Sequence, residues 1–371
     1  MNKCKLGDLF EIKQGFAFKS EKYQSSGYYV LCTLGNIGAD NNFKYDLSKA
    51  NYYPDDFSHS FVLEGGDLII PLTEQAVGLF GNTAFVPHTS NFKFILNQRV
   101  GKIVPNPQEV DKHYLHYLLS TELVRNQIEA TATGTSQRNT SPEKIYDVTV
   151  WIPDLEQQQK IGKTLFNLER KVNINNSIND NLQQMAYELY MHLFFQKKSN
   201  GKLEDIIIEN PKSTIQVGEA KDEYGNYPFF TSGDAVLRWR EPLVDGRNCF
   251  LNTGGNADVK FYVGKTAYST DTWCISAKSG LPDYLYLLLK SIKPELNQKF
   301  FQGTGLKHLQ KPLLKERPIY IPSENEIKAF NSSVQPWFTM ISDNIRESQR
   351  LTALRDWLLP MLMNGQATVS D

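Results

Sequence analysis

The sequence is short of several things that would place it in familiar classes. It has four cysteines in 371 residues, Cys4, Cys32, Cys249 and Cys274, too few and too scattered for a disulfide framework or a zinc knuckle. They are expected to be reduced, packed thiols. No apolar run approaches the roughly 20 residues of a membrane span. The opening Met1-Asn2-Lys3-Cys4-Lys5-Leu6-Gly7-Asp8 lacks the apolar core of a signal peptide. A cytoplasmic protein with no membrane role is expected. An excess of charge of either sign is also missing, because 40 Lys and Arg stand against 41 Asp and Glu, a formal −1. That excludes a polycation that coats nucleic acid, so any such binding must come from a local basic surface.

Signatures of catalysis are absent too. There is no GxxxxGK[ST] phosphate loop, so ATP-driven translocation is not encoded. Neither Asn-Pro-Pro nor Asp-Pro-Pro occurs, and no glycine fingerprint for a methyl donor follows a strand. The nuclease-like string Pro153-Asp154-Leu155-Glu156 is better explained as a helix start. His113 and His116, with Asp111 nearby, have metal-compatible spacing, but they fall in an amphipathic helix without further ligands and are expected to be satisfied surface histidines. No repeated histidine accompanies Cys249 or Cys274, so neither is expected to be a nucleophile. No catalytic residue, no metal and no cofactor is assigned to this chain.

What is present is a tandem duplication. Residues 133–161, TGTSQRNTSPEKIYDVTVWIPDLEQQQKI, align without a gap on residues 302–330, QGTGLKHLQKPLLKERPIYIPSENEIKAF. Gly134-Thr135 falls on Gly303-Thr304 and Ile152-Pro153 on Ile321-Pro322, at a constant offset of 169. Upstream, Tyr114-Leu115-His116-Tyr117-Leu118-Leu119 echoes Tyr284-Leu285-Tyr286-Leu287-Leu288-Leu289. Each unit also opens alike, with Lys5-Leu6-Gly7-Asp8-Leu9 and Lys202-Leu203-Glu204-Asp205-Ile206.

The front of each unit carries short β-favouring runs broken by glycine, among them Tyr28-Tyr29-Val30-Leu31, Gly66-Asp67-Leu68-Ile69-Ile70 and Val259-Lys260-Phe261-Tyr262-Val263. The back of each is helical. Asp154 with Gln157, and Ser323 with Glu326, read as capping boxes. Beyond the first, Ile161, Leu165, Leu168 and Val172, then Leu182, Met185, Leu189 and Leu193, recur at helical spacing. The second shows Phe330, Val334, Phe338, Ile341 and Ile345, then Leu351, Leu354, Leu358 and Met361. An unbroken first helix would be about 60 Å long, a spacer's length. Asn173, Asn175, Asn176 and Asn179 interrupt its stripe, either as buried asparagines that fix register or as a solvated bend. Pro336 lies inside the second stripe, where it removes an internal hydrogen bond, so a kink or a fresh start near Ser333 is expected.

The expected fold is α+β. Two mixed α/β globular domains, 1–153 and 201–322, are joined by helices at 154–200 and 323–371 that pair as an antiparallel coiled coil. Ile161, Leu165, Leu168, Val172, Leu182 and Leu189 on the first helix, with Phe338, Ile341, Ile345 and Leu358 on the second, are the expected packing residues.

Two divergent domains, each followed by Gly-Thr, an Ile-Pro strand end, an acidic or Gln helix start and a long helix, resemble the specificity subunit of type I restriction–modification systems. The resemblance covers essentially the whole chain and rests on duplicated order at constant spacing. It implies two target-recognition domains, each reading half of a split, asymmetric site on double-stranded DNA. It also implies helices that act as a ruler and dock two modification subunits, which carry S-adenosylmethionine, and through them the restriction subunits with their ATP-dependent translocase and nuclease.

Candidate DNA contacts are polar or basic residues in glycine-permitted loops, where backbone can approach phosphate. In the first head these are Gln14, Lys19, Thr135, Ser136, Gln137, Arg138 and Asn139. In the second they are Thr231, Ser232, Asn252, Asn256, Lys307, His308 and Lys311, with Lys315 and Arg317 extending a basic run opposed only by Glu316. An ordinary surface loop or solvated helix face is the alternative for each. The competing function is a two-headed scaffold that grips proteins or glycans. Near-neutral charge leans towards it, and the duplicated pattern leans towards DNA.

Overall fold

The computed structural model describes residues 1–74, 78–134, 137–221, 225–278 and 280–369. The chain divides into two compact units, residues 1–170 with 352–371, and residues 171–351. Both long helices contribute to both units, the first running Leu155–Leu193 and the second Glu324–Met363.

Each head is built on the same four-stranded antiparallel sheet, although the strand sequences share almost nothing. In the first unit the order is Phe10–Gln14, Val100–Pro105, Leu68–Pro71, Ala84–Phe85. In the second it is Ile207–Glu209, Thr272–Ala277, Arg247–Asn252, Val259–Val263. The last strand in sequence thus lies between the first and second each time. Leu68–Pro71 is buried along its whole length, as a central strand of β-branched and aliphatic residues should be. A second sheet flanks each, with Tyr29–Cys32 parallel to Lys93–Leu96 in the first unit and Tyr227–Phe230 parallel to Ala267–Tyr268 in the second.

The duplicated helix follows the sheet in both units, as Lys112–Ser120 and Pro282–Ser291. The Asp111 carboxylate caps the first by accepting the Tyr114 N–H at 2.8 Å. The Ile-Pro strand pairs with the residues that open its own unit, Asn2 with Ile152 and Gly201 with Ile319. Lys5 meets Asp147 at 2.8 Å and Lys202 meets Glu316 at 2.6 Å, ion pairs at equivalent places in the repeat. They are exposed and add little stability.

The long helices begin where the caps place them. Asp154 accepts the Gln157 N–H at 2.9 Å, but the Gln157 side-chain oxygen finds no partner among the described residues, so only half of that capping box forms. At the second start Glu326 reaches back to the Ser323 N–H at 2.9 Å and also takes the Tyr320 hydroxyl at 2.8 Å. Those donors, the Ser323 N–H first, hold its carboxyl down at about 2. A depressed carboxyl contributes stability that is complete above its unfolded value and is lost as pH falls through the folded one. Glu326→Gln is therefore expected to remove part of the acid limb of an unfolding-versus-pH profile between about pH 4.5 and 2. An unchanged limb would dismiss the cap.

Each long helix buries apolar side chains in both cores, its N-terminal part with its own head and its C-terminal part with the other. Ile161 and Leu165 enter the core around Tyr114, Leu115 and Leu118, with Leu358 packed on its edge. Phe338 and Ile341 enter the core around Leu285 and Tyr286, with Leu182, Leu189 and Ile345 packed against it. Leu168 and Val172 are half-buried.

In the second unit the helices also run antiparallel side by side. Asn175, 1 % exposed, donates to Glu347 at 2.8 Å, and Asn179 accepts from Asn344 at 2.8 Å. Two of the four asparagines are thus buried register contacts, whereas Asn173 and Asn176 face outward.

Four expectations need correction. Pro336 does not interrupt the second helix. The Arg247 guanidinium donates to the Gln335 carbonyl at 3.0 Å and to Thr339 at 3.3 Å across that turn, which ties it to the head. Met185 and Leu354 are 47 % and 42 % exposed, because the buried rows step through Leu182, Ala186 and Tyr190 on one helix and end at Leu362 and Met363 on the other. His116 is buried, its Nδ1 2.6 Å from the Thr83 hydroxyl, and burial pushes its pKa down to about 3. His113 is half-buried, its ring 4.1 Å from that of Phe166.

All four cysteines are free. Cys32, Cys249 and Cys274 are buried, and burial raises each thiol, Cys274 to about 12. Among the described residues no helix is long and apolar enough to cross a membrane.

Candidate nucleic-acid interface

In the second head three loops far apart in sequence meet at one end of the main sheet. Strand Arg247–Asn252 runs out into Thr253-Gly254-Gly255, which pairs along the hairpin at 301–309: Gly254 bridges His308, the Gly255 N–H meets the Lys307 carbonyl at 2.9 Å, and the Leu309 N–H meets the Thr253 carbonyl at 3.0 Å. The Asp271 carbonyl gathers the rest, accepting the Thr253 N–H at 3.0 Å and the Ser232 hydroxyl at 2.6 Å.

Thr231, Ser232, Asn252, Asn256, Lys307 and His308 therefore belong to one surface. Their roles within it differ. Asn252 is 5 % exposed and organises its own loop, donating to the Gly254 carbonyl at 2.8 Å and accepting the Asp258 N–H at 2.7 Å. Thr231, 7 % exposed, accepts the Gly233 N–H at 3.2 Å in the same manner. Asn256, Lys307 and His308 are exposed. Further along the basic run, positive charge is spent internally. The Lys311 ammonium lies 5.0 Å from the Trp273 ring centre, Lys315 pairs with Glu209, and Arg317 pairs with Glu295 at 2.8 Å.

The first head repeats the backbone pairings of this arrangement. The Leu72 N–H meets the Arg99 carbonyl at 2.9 Å, as Thr253 meets Asp271, and the Thr140 N–H meets the Leu72 carbonyl at 3.1 Å, as Leu309 meets Thr253. Thr133 bridges Asn139 as Gln302 pairs with His308, and Asn139 pairs with Thr73 as His308 does with Gly254. The loop holding Gln14 and Lys19 joins the same end, since Gln14 lies opposite Gly101 and Phe16 bonds to Leu96 at 2.9 Å and Gln98 at 3.0 Å. Gln14, Lys19 and Asn139 are exposed and Gln137 is half-buried. Thr135 and Ser136 lie outside the described residues.

Both hairpins turn on a glycine that no other residue replaces cheaply. Gly134 has φ +110° and Gly303 φ +148°, and a Cβ would stand 2.2 Å from the Gln137 carbonyl oxygen and 2.6 Å from that of Leu306. The duplicated glycine is thus a turn requirement.

Equivalent positions carry different chemistry. In the first hairpin Arg138 faces Glu74, which is 1 % exposed, at 2.9 Å, and also meets Glu129 at 2.7 Å. In the second the corresponding Lys307 faces Gly255, which has no side chain to neutralise it. Arg99 stands where the second head has Asp271. Arg99 and Asp271 escape sequence reading because alignment of the repeat stops short of the heads. Their only local signal is a place between a polar turn and a strand.

A family model for the type I restriction modification DNA specificity domain matches residues 1–184 and again 196–333. The chain belongs to this specificity family. Among its relatives, the type I restriction enzyme MjaVIII specificity subunit of Methanocaldococcus jannaschii is 23 % identical over 197 residues, 52 % of this chain and 45 % of that protein. The MjaIX specificity subunit of the same organism is 22 % identical over 321 residues, 74 % of this chain and 73 % of that one. A solved type I restriction–modification S subunit from M. genitalium superposes with a TM-score of 0.67 at 16 % identity, covering 98 % of this chain and 96 % of that chain. The specificity family's fold, two tandem heads with helices and strands, is the fold of this chain.

Proposed function

We propose that this chain is a non-catalytic DNA-reading subunit of a type I restriction–modification complex, acting in the cytoplasm on a split, asymmetric site in double-stranded DNA. One observation carries the reading. The two heads build the same loop cluster with the same backbone bonds, yet place Arg138 against Glu74 in one and Lys307 against Gly255 in the other. A shared frame holding different side chains suits two half-sites of different sequence, with backbone contacts positioning and side chains specifying.

Two modification subunits dock along the helices, bring S-adenosylmethionine, and methylate adenine after flipping it from the stack. Restriction subunits join through them. Exposed apolar residues on the first long helix, Ile174, Ile178 and Met185, support such a partner surface. The pairing of Lys315 and Arg317 with carboxylates favours the alternative, heads that grip protein or glycan.

An exchange of heads separates the two. Replacing residues 1–153 with the corresponding head of another specificity subunit should change one half of the methylated motif and leave the other. Lengthening both helices by whole turns should change only the gap between halves. A motif that survives both changes would overturn the reading.

A further inference from the structure

Resting on the DNA-reading function proposed above, we propose that Arg99 in the first head and Asp271 in the second each read a base edge in the half-site of their own head, Arg99 a guanine and Asp271 a cytosine.

The two residues occupy one structural position. Each immediately precedes a strand inside the main sheet, Val100–Pro105 or Thr272–Ala277, and each fixes the neighbouring strand end through its carbonyl, to Leu72 at 2.9 Å and to Thr253 at 3.0 Å. The backbone is therefore held while the side chain is not. Among the described residues neither the Arg99 guanidinium nor the Asp271 carboxylate has an ion pair or hydrogen bond, whereas Arg138 nearby is occupied by Glu74 and Glu129. Arg99 is half-buried and lines a cavity of ≈ 380 Å³ with Tyr23, Thr33, Asn97 and Gln98. Asp271 is exposed beside the Thr253–Gly255 loop.

Opposite charge at one position decides between phosphate and base. Phosphates are the same along any duplex, so a site reserved for them would carry a cation in both heads, and Asp271 would be repelled. Base edges differ. The Arg fork matches guanine O6 and N7, and a carboxylate accepts from cytosine N4. In the second head Lys307, with no carboxylate opposite, supplies the phosphate contact that Asp271 cannot.

The test maps adenine methylation on random DNA by the complete complex of this chain with its modification subunits. Wild type, Arg99→Ala, Arg99→Lys and Asp271→Ala are compared, and binding to cognate and singly substituted duplexes serves any variant that binds without methylating. Arg99→Ala should lose roughly ten- to hundredfold discrimination at one guanine of one half-site. Arg99→Lys should keep the salt dependence of binding but weaken the same discrimination, because an ammonium reaches guanine O6 and N7 without the planar fork. Asp271→Ala should relax one cytosine in the other half. Unchanged discrimination, or a loss uniform over all sequences, would overturn the assignment while leaving the split-site function intact. A wild-type complex with no split motif would remove that function and this assignment with it.

Discussion

Arg247→Ala should destabilise the second unit by about 3–5 kcal/mol, since it strands a fully buried carboxylate. Asp283 is 0 % exposed, and Arg247 grips both of its oxygens at 2.8 Å. The same guanidinium bonds the second long helix at Gln335 and Thr339, so its loss also loosens the helix from the head. The deficit should depend on pH in a definite sense. Burial pushes the Asp283 carboxyl up and Arg247 pulls it back, so the variant's carboxyl rises further. A raised carboxyl favours the folded state below its unfolded value and loses that advantage as pH climbs through the folded one. The difference from wild type should therefore be largest near neutrality and shrink towards pH 4, measured by denaturant unfolding of the full chain. A deficit under 1 kcal/mol, or one equal at both ends of that range, would contradict the account.

Gly303→Ala should cost the complex roughly tenfold or more in DNA affinity while leaving the fold intact. An L residue at a positive φ is strained by about 1–2 kcal/mol, and here its Cβ would also press on the Leu306 carbonyl at 2.6 Å. The hairpin that presents Lys307 and His308 must then shift. Gly305 lies two residues away in the same loop, yet a Cβ there meets nothing within 4 Å, so Gly305→Ala is the control and should bind as wild type. Gly134→Ala should reproduce the defect in the first head, with its loss confined to the other half-site. Equal behaviour of the Gly303 and Gly305 variants would detach the hairpin from DNA binding.

The parts of this protein legible in its sequence are those the duplication kept. Gly134 and Gly303 are retained because a left-handed turn leaves little choice of residue, and the helix starts at Asp154 and Ser323 because orphan N–H groups need an acceptor. Buried asparagines at 175 and 179 were one of two open readings, resolved by partners 165 or more residues away that no local pattern discloses.

The equivalence of the two main sheets was not legible. Strands such as Leu68–Pro71 and Arg247–Asn252 share a place in the topology but no residues, since a strand needs only apolar or β-branched side chains on a buried face. At Pro336 the helix continues unbroken, and Arg247, distant in sequence, ties that turn to the head. Among the candidate contacts, residue type picked loops that the fold brings together in each head but could not separate Asn252, which serves its own loop, from Lys307, which is exposed.

The most direct test of the central claim is to co-express this chain with its modification subunit and map adenine methylation across random DNA with and without it. Methylation at a single split motif only when this chain is present is the predicted result. A chain that binds the modification subunit without altering where it methylates, or does not bind it at all, would contradict the account.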